Sequence, residues 1–165
     1  MYNGLVLMSG TATMEDCVVA DNVISKAAAV TVNGANVTIR NCTIVRNTVQ
    51  VPGKFAVNMS AAGNVYNTII WGNSDTATTA NWTGNTTKWD TNCTYPLTGV
   101  TDPNTIGDDP NFQSDGLHPK FSSPCNHTGN PELATATDFE GNLRGDQPSI
   151  GAYEYVDRGE LEVSA

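Results

Sequence analysis

Several groups of side chains in this 165-residue chain could act on a ligand. Trp71, Trp82 and Trp89 offer flat indole faces of the kind that stack on the apolar C–H surface of a sugar ring. Trp82 stands in a polar stretch where nothing in the sequence guarantees burial. With Arg40 and Arg46 they form the carbohydrate-contact candidates; the competing reading is that the three rings anchor a core or a loop. Asp102, Asp108, Asp109 and Asp115 could supply oxygen ligands to calcium, the one cofactor this chain suggests. Their spacing is not that of a helix–loop–helix calcium loop, and Asp109-Pro110 also makes a good turn. His118 and His127 are the only histidines, and neither has a Ser, Cys or acid at a recognisable triad or metal spacing. No catalytic residue can be assigned.

The four cysteines lack the paired spacing of a zinc site. Cys17, Cys42 and Cys93 recur at equivalent points of a repeat and read as stacked buried thiols. A Cys93–Cys125 disulfide is the alternative and would suit an exported protein.

These residues sit on a sequence that returns to itself. Asp16-Cys17-Val18, Asn41-Cys42-Thr43, Asn67-Thr68-Ile69 and Asn92-Cys93-Thr94 follow one another at steps of 25, 26 and 25 residues. Asp21-Asn22, Arg46-Asn47 and Gly72-Asn73 keep step with them. Constant spacing of short apolar stretches and Asn-rich bends means one unit stacked on copies of itself. Val37-Thr38-Ile39-Arg40 alternates as a strand with one face in a core should. Asn41 then falls at a bend, and Cys42-Thr43-Ile44 resumes with Cys42 and Ile44 inward. Leu5 to Met8, Ala28 to Val32 and Phe55 to Met59 add an earlier strand to each coil. The expected fold is an all-β parallel β-helix of about 25 residues and three short strands per coil. Asn tolerates the left-handed backbone of such bends. Its amide can also bond to the same amide one coil away, which predicts two ladders: Asn41 with Asn67, and Asn22, Asn47 and Asn73. The repeat also generates Asn-X-Ser/Thr patterns automatically, so they are not read as glycosylation sites. Arg40 stands one coil above Glu15 and should pair with it.

Eight basic against 17 acidic residues leave a net charge of −9, with the basic residues scattered. That excludes a phosphate-binding stripe, and with it nucleic acid and anionic membranes as expected partners. No apolar run approaches a membrane span, so no membrane insertion is expected. The first residues read as the middle of a coil. An open first coil would expose strand edges, so missing N-terminal coils or end-to-end self-association are expected.

The C-terminal third adds recognisable text: Asp109-Pro110-Asn111-Phe112, Ser122-Ser123-Pro124-Cys125, Asp138-Phe139-Glu140-Gly141-Asn142-Leu143-Arg144 and Ser149-Ile150-Gly151-Ala152-Tyr153-Glu154-Tyr155. Over residues 106 to 155 it resembles the end of bacterial right-handed parallel β-helix proteins of the pectate-lyase-like superfamily, in particular the choice-of-anchor Q domain group. It departs from that pattern at Cys125-Asn126-His127, at Leu143 for Pro and at Ser149 for Asp. The resemblance implies a secreted or cell-surface bacterial protein, with coils over 1–99, a loop-rich closing segment over 100–155 packed on the last coils, and a tail over 156–165. It implies structural roles for Asp138, Arg144 and Glu154, with Arg144 pairing with Asp138 or Glu154. The expected function is a non-catalytic module that binds polysaccharide or spaces other domains. The alternative is a fragment of a polysaccharide lyase or glycoside hydrolase of that superfamily.

Overall fold

A strand of two to five residues cannot bury its apolar side alone; it needs a copy of itself one coil away. The computed structural model, which describes residues 5–76 and 78–157, meets that requirement by stacking four coils. The first holds β1 (Val6–Met8), β2 (Thr11–Glu15), β3 (Val18–Ala20) and β4 (Val23–Ile24). The second holds β5 (Val30–Val32), β6 (Asn36–Arg40), β7 (Thr43–Val45) and β8 (Thr48–Val49). The third holds β9 (Val57–Met59), β10 (Asn64–Tyr66) and β11 (Ile69–Trp71), and the fourth β12 (Trp82–Gly84), β13 (Trp89–Asp90) and β14 (Cys93–Thr94). Strands one coil apart pair in parallel, giving three four-stranded sheets, β1-β5-β9-β12, β2-β6-β10-β13 and β3-β7-β11-β14. The protein is therefore an all-β parallel solenoid. Its first two coils carry a fourth short strand, the pair β4-β8, beyond the three expected. No helix among the described residues is long and apolar enough to cross a membrane.

Alternation places every second side chain inside. Val30, Val32, Val57 and Met59 enter from the first sheet, Val37, Ile39 and Val65 from the second, and Ile44 and Ile70 from the third. Each fully buried aliphatic side chain contributes about 1.5–3 kcal/mol. The third sheet differs from the other two, because its outward residues Val45, Ile69 and Cys93 are also apolar and buried. A sheet covered on both faces reads as a continuous apolar run, as Ile69-Ile70-Trp71 does. The cover is the C-terminal segment, whose Cys125 and Ile150 complete a second core on that outer face. This segment was expected to pack on the last coils. It runs along the solenoid instead, from Asp90 in the fourth coil to Asp16 in the first.

One of the two predicted Asn ladders forms. Asn22 Nδ2 donates to Asn47 Oδ1 at 2.9 Å, Asn47 Nδ2 to Asn73 Oδ1 at 2.9 Å, and Asn73 Nδ2 to Asn81 Oδ1 at 3.0 Å. Asn81, which precedes β12, ends the ladder by donating to the Tyr95 carbonyl at 2.6 Å. Asn41 and Asn67 do not bond to each other. They occupy a column of left-handed residues, with φ of 48° at Asp16, 48° at Asn41, 46° at Asn67 and 52° at Thr91. Their side-chain oxygens point outward and accept the backbone N–H groups of Thr135 and Asn130 at 3.0 and 2.7 Å. This second column is a docking rail for the C-terminal segment.

Thr91 closes that column because the last repeat is one residue shorter than the sequence suggests. The pairing runs from Val18 to Thr43, to Ile69 and to Cys93, steps of 25, 26 and 24 residues. Asn92 thus aligns with Thr68 rather than Asn67, and Cys93 is not a third member of the Cys17–Cys42 rung. The slip is held by polar groups. Asn92 Oδ1 accepts the Thr68 N–H at 2.9 Å, and Asp102 Oδ2 accepts the Thr91 N–H at 2.8 Å.

Asn47 is fully buried and at the centre of its ladder, whereas Asn22 is half-buried at the end. Replacing Asn47 by Ala takes a buried donor from the Val19 and Val45 carbonyls and an acceptor from the Asn22 amide. We expect Asn47→Ala to cost about 3 kcal/mol and Asn22→Ala about 1 kcal/mol, read as the difference in unfolding free energy in urea.

Candidate functional site

The candidates named from the sequence are dispersed over the solenoid and its cover. Trp82 and Trp89 are inward members of β12 and β13 and lie 8% and 5% exposed. Their rings meet at 5.1 Å and close the fourth-coil end of the core, with Val100 packed against them. Their faces are therefore turned into the protein, and their indole N–H groups find no protein acceptor. Trp71 follows Ala20 and Val45 in register and lies half-buried on the outer face of β11 beside Tyr95 at 6.3 Å. Arg40 pairs with Glu15 one coil below, through bonds of 2.8 and 2.6 Å. Arg46 makes the same kind of pair with Asp21, at 2.7 and 2.6 Å, and also donates to the Gly116 carbonyl of the covering segment. Gly116 adopts a left-handed backbone with φ of 69°, which suits glycine.

The four calcium candidates do not converge. Asp102 caps the Thr91 N–H, Asp109 accepts from Asn111 N–H, and Asp115 accepts from the N–H groups of Leu117 and His118. Among the described residues no group of three or more His, Cys, Asp or Glu is arranged to hold a metal ion. Asp115 does reach His118, contrary to the expectation that neither histidine has an acid at useful spacing. His118 Nδ1 meets Asp115 Oδ2 and its Nε2 lies 3.2 Å from Glu140 Oε1. The ring rests on Tyr153, with centroids 4.0 Å apart. The Asp115-x-x-His118 spacing was visible in the sequence, but Glu140 arrives only through the fold.

The covering segment is fastened by Arg144, whose side chain is 1% exposed. Its guanidinium donates to Asp16 Oδ1 at 2.9 Å, to Glu154 Oε2 at 3.3 Å and to the carbonyls of Ser149 and Gly151 at 3.3 and 2.9 Å. Of the two predicted partners it takes Glu154, and adds Asp16 from the first coil. Asp138 does something else. It accepts the N–H groups of Glu140, Asn142 and Glu154, all at 2.8 to 2.9 Å, and the Asn142 side chain at 3.0 Å. Ser149, where the resembled pattern has Asp, donates to Glu154 Oε1 at 3.0 Å and accepts the Tyr155 N–H.

One surface that the fold leaves open is the outward face of the first sheet. Leu7, Thr31, Asn58 and Thr83 stack in register along it. The loops before β5 and β9 raise one wall, with Lys26, Lys54 and the half-buried Phe55, and Asn33 and Ser60 stand opposite. The result is a trough of about 530 Å³. Asp75 shapes the wall by accepting the Gly53 N–H at 2.9 Å. Among the described residues no carboxylate lines the trough itself, and its two lysines are positive in a chain of net charge −9. None of the sequence candidates lines it. The signal that could have found it is the run of small polar residues at the central outward position of successive coils, flanked twice by lysine. Compared with protein-family models, curated proteins and solved structures, the chain finds no match.

Burial alone would raise the Asp138 carboxyl, but the Asn142 side chain and three backbone N–H groups outweigh it and hold the carboxyl below its ordinary value. Its contribution to stability is then present above the ordinary carboxylate range and lost as pH falls through the depressed value. Asp138→Asn should destabilise the fold by about 2 kcal/mol at neutral pH in urea unfolding. The gap to the parent protein should narrow below about pH 4 and close once Asp138 itself is protonated.

Proposed function

We propose that this chain is a polysaccharide-binding β-helix module of an exported bacterial protein, and that the open trough of the first sheet is where an acidic polysaccharide lies. The trough carries this reading: it follows the solenoid axis across all four coils, as an extended polymer requires. Thr31, Asn58, Thr83, Asn33 and Ser60 offer hydroxyl and amide groups to sugar hydroxyls. Lys26 and Lys54 supply charge for carboxylates along the polymer, and Phe55 offers an aromatic edge. The C-terminal text of the chain supports membership in the pectate-lyase-like superfamily, with the choice-of-anchor Q domain group as the nearest pattern. Coils over 1–99, a covering segment over 100–155 and a tail from 156 are the matching domain division.

Binding without cleavage is favoured over the lyase or hydrolase alternative. A lyase needs a base and charge-neutralising groups gathered at one sugar. Among the described residues the trough offers two lysines and no acid, and Arg40 and Arg46 are held by Glu15 and Asp21 away from it. A glycan array carrying acidic and neutral polysaccharides tests the reading. Binding to uronate-containing chains should weaken about tenfold in the Lys26→Ala/Lys54→Ala double variant and fall with added salt. No binding to any acidic glycan would remove the reading, and unsaturated uronate appearing in the reaction would favour the lyase.

A further inference from the structure

Two pairs of thiols lie side by side in this protein, and they differ in one respect that matters for chemistry. Cys93 and Cys125 are both fully buried, in the second core between β14 and the covering segment. Hydrogen bonding to Cys125 and burial push the Cys93 thiol far up, so it stays protonated and inert. Cys17 and Cys42 are stacked across the first two coils. The Thr43 N–H donates to the Cys17 carbonyl at 2.9 Å and Val18 pairs with Thr43, which sets the two cysteines in register on adjacent strands. In-register neighbours stand about 4.8 Å apart, inside the Cα separation of about 4.4–6.8 Å that a disulfide spans. Cys42 is fully buried, with its Sγ 3.2 Å from the Arg40 carbonyl. Cys17 immediately precedes β3 in the first coil and is half-exposed.

We propose that Cys17 and Cys42 are a redox-active pair, in which Cys17 is the peroxide-reactive thiol and Cys42 the resolving thiol that closes an inter-coil disulfide. The asymmetry of exposure assigns the roles. A reactive thiolate needs solvent, which reaches Cys17, whose Sγ lies 3.1 Å from the Glu15 carbonyl at the surface; Cys42, in the core, keeps its proton. The hydrogen bond from Cys42 pulls the Cys17 thiol down to about 6, against burial and the negative charges of Asp16 and Glu15. The same bond, with burial, pushes Cys42 up.

The chemistry balances with a hydroperoxide as oxidant. The Cys17 thiolate attacks the peroxide oxygen, an S–O bond forms, the O–O bond breaks, and the leaving alkoxide or hydroxide takes a proton from water. Cys17 is thereby oxidised by two electrons to a sulfenic acid. As the Cys42 sulfur then attacks Cys17, its proton passes directly to the departing sulfenic oxygen, so no free Cys42 thiolate forms: the S–S bond forms, the S–O bond breaks, and water leaves. The product covalently links the first coil to the second through a ring that encloses one repeat.

The test uses the reduced full chain. Alkylation by iodoacetamide, followed by peptide mapping across a pH series, should modify Cys17 before the other three cysteines, with a midpoint near pH 6. Stoichiometric hydrogen peroxide should then yield a Cys17–Cys42 linked peptide and a chain lighter by two hydrogens. In Cys42→Ser, dimedone should trap a sulfenic acid at Cys17, and in Cys17→Ser it should trap none at Cys42. The proposal is overturned if native Cys17 alkylates with the midpoint of a free thiol, if peroxide links only Cys93 and Cys125, or if Cys17 goes directly to the sulfinic acid in the unmodified chain. The alkylation and peroxide arms need no variant, so loss of folding in either substitution leaves the proposal testable.

Discussion

The distance between coils governs this molecule. Adjacent parallel strands stand about 4.8 Å apart, so a polar group buried inside the coils finds its own equivalent in the next coil within bonding reach. The ladder Asn22–Asn47–Asn73–Asn81 satisfies that constraint with amides, each of which can donate and accept. Apolar residues meet it by alternation, and Arg40 over Glu15 and Arg46 over Asp21 meet it with charge. Exposed pairs of this kind contribute little stability; their effect is to hold the two arginines at fixed places on the surface.

A solenoid built this way has faces rather than a centre. The first sheet presents small polar residues and stays open as a trough, while the third presents Val45, Ile69 and Cys93 and must be covered. The covering segment docks by two means that need each other. Its apolar residues fill the second core, its backbone is registered by the outward side chains of Asn41 and Asn67, and its Thr135 hydroxyl donates to Asp16. Gly151 shows how closely the segment lies. A Cβ there would stand 2.8 Å from Ile69 and 3.0 Å from Thr43 Oγ1, and its φ of 106° suits glycine alone. Arg144 ties the arrangement together, since one buried guanidinium touches the first coil and the last strand-like stretch of the segment at once. Removing it would leave Glu154 buried without its cation, which is why such a group is costly to lose.

Much of the fold was legible in the sequence because its causes are local and repeated. The positions of β2, β6 and β7 follow from alternation around Asn41, and the inward Asn22 column follows from its constant step. The one-residue slip at Thr91 was not legible. Asn92-Cys93-Thr94 imitates the earlier triplets, and only pairing of Ile69 with Cys93 reveals that a Thr occupies the bend. The site was legible least. Indole rings are equally suited to a sugar platform and to the end of a core, and the sequence around Trp82 does not distinguish the two. The fold decides it by placing Trp82 and Trp89 inward on the last coil, where their area seals the apolar column.

The sequence by itself determined the coil length, the parallel stacking, the inward and outward alternation and the net negative charge, because each is a property of spacing or composition that survives any neighbour. Tertiary structure alone decided which of two Asn columns bonds within the solenoid and which faces the covering segment. It also decided which sheet face stays open, and that Lys26 and Lys54, 28 residues apart, flank one trough. The reason is that exposure is a relation between distant segments. An outward residue is free or buried according to whether the C-terminal segment lies over it, and that segment chooses its path by the apolar face of the third sheet.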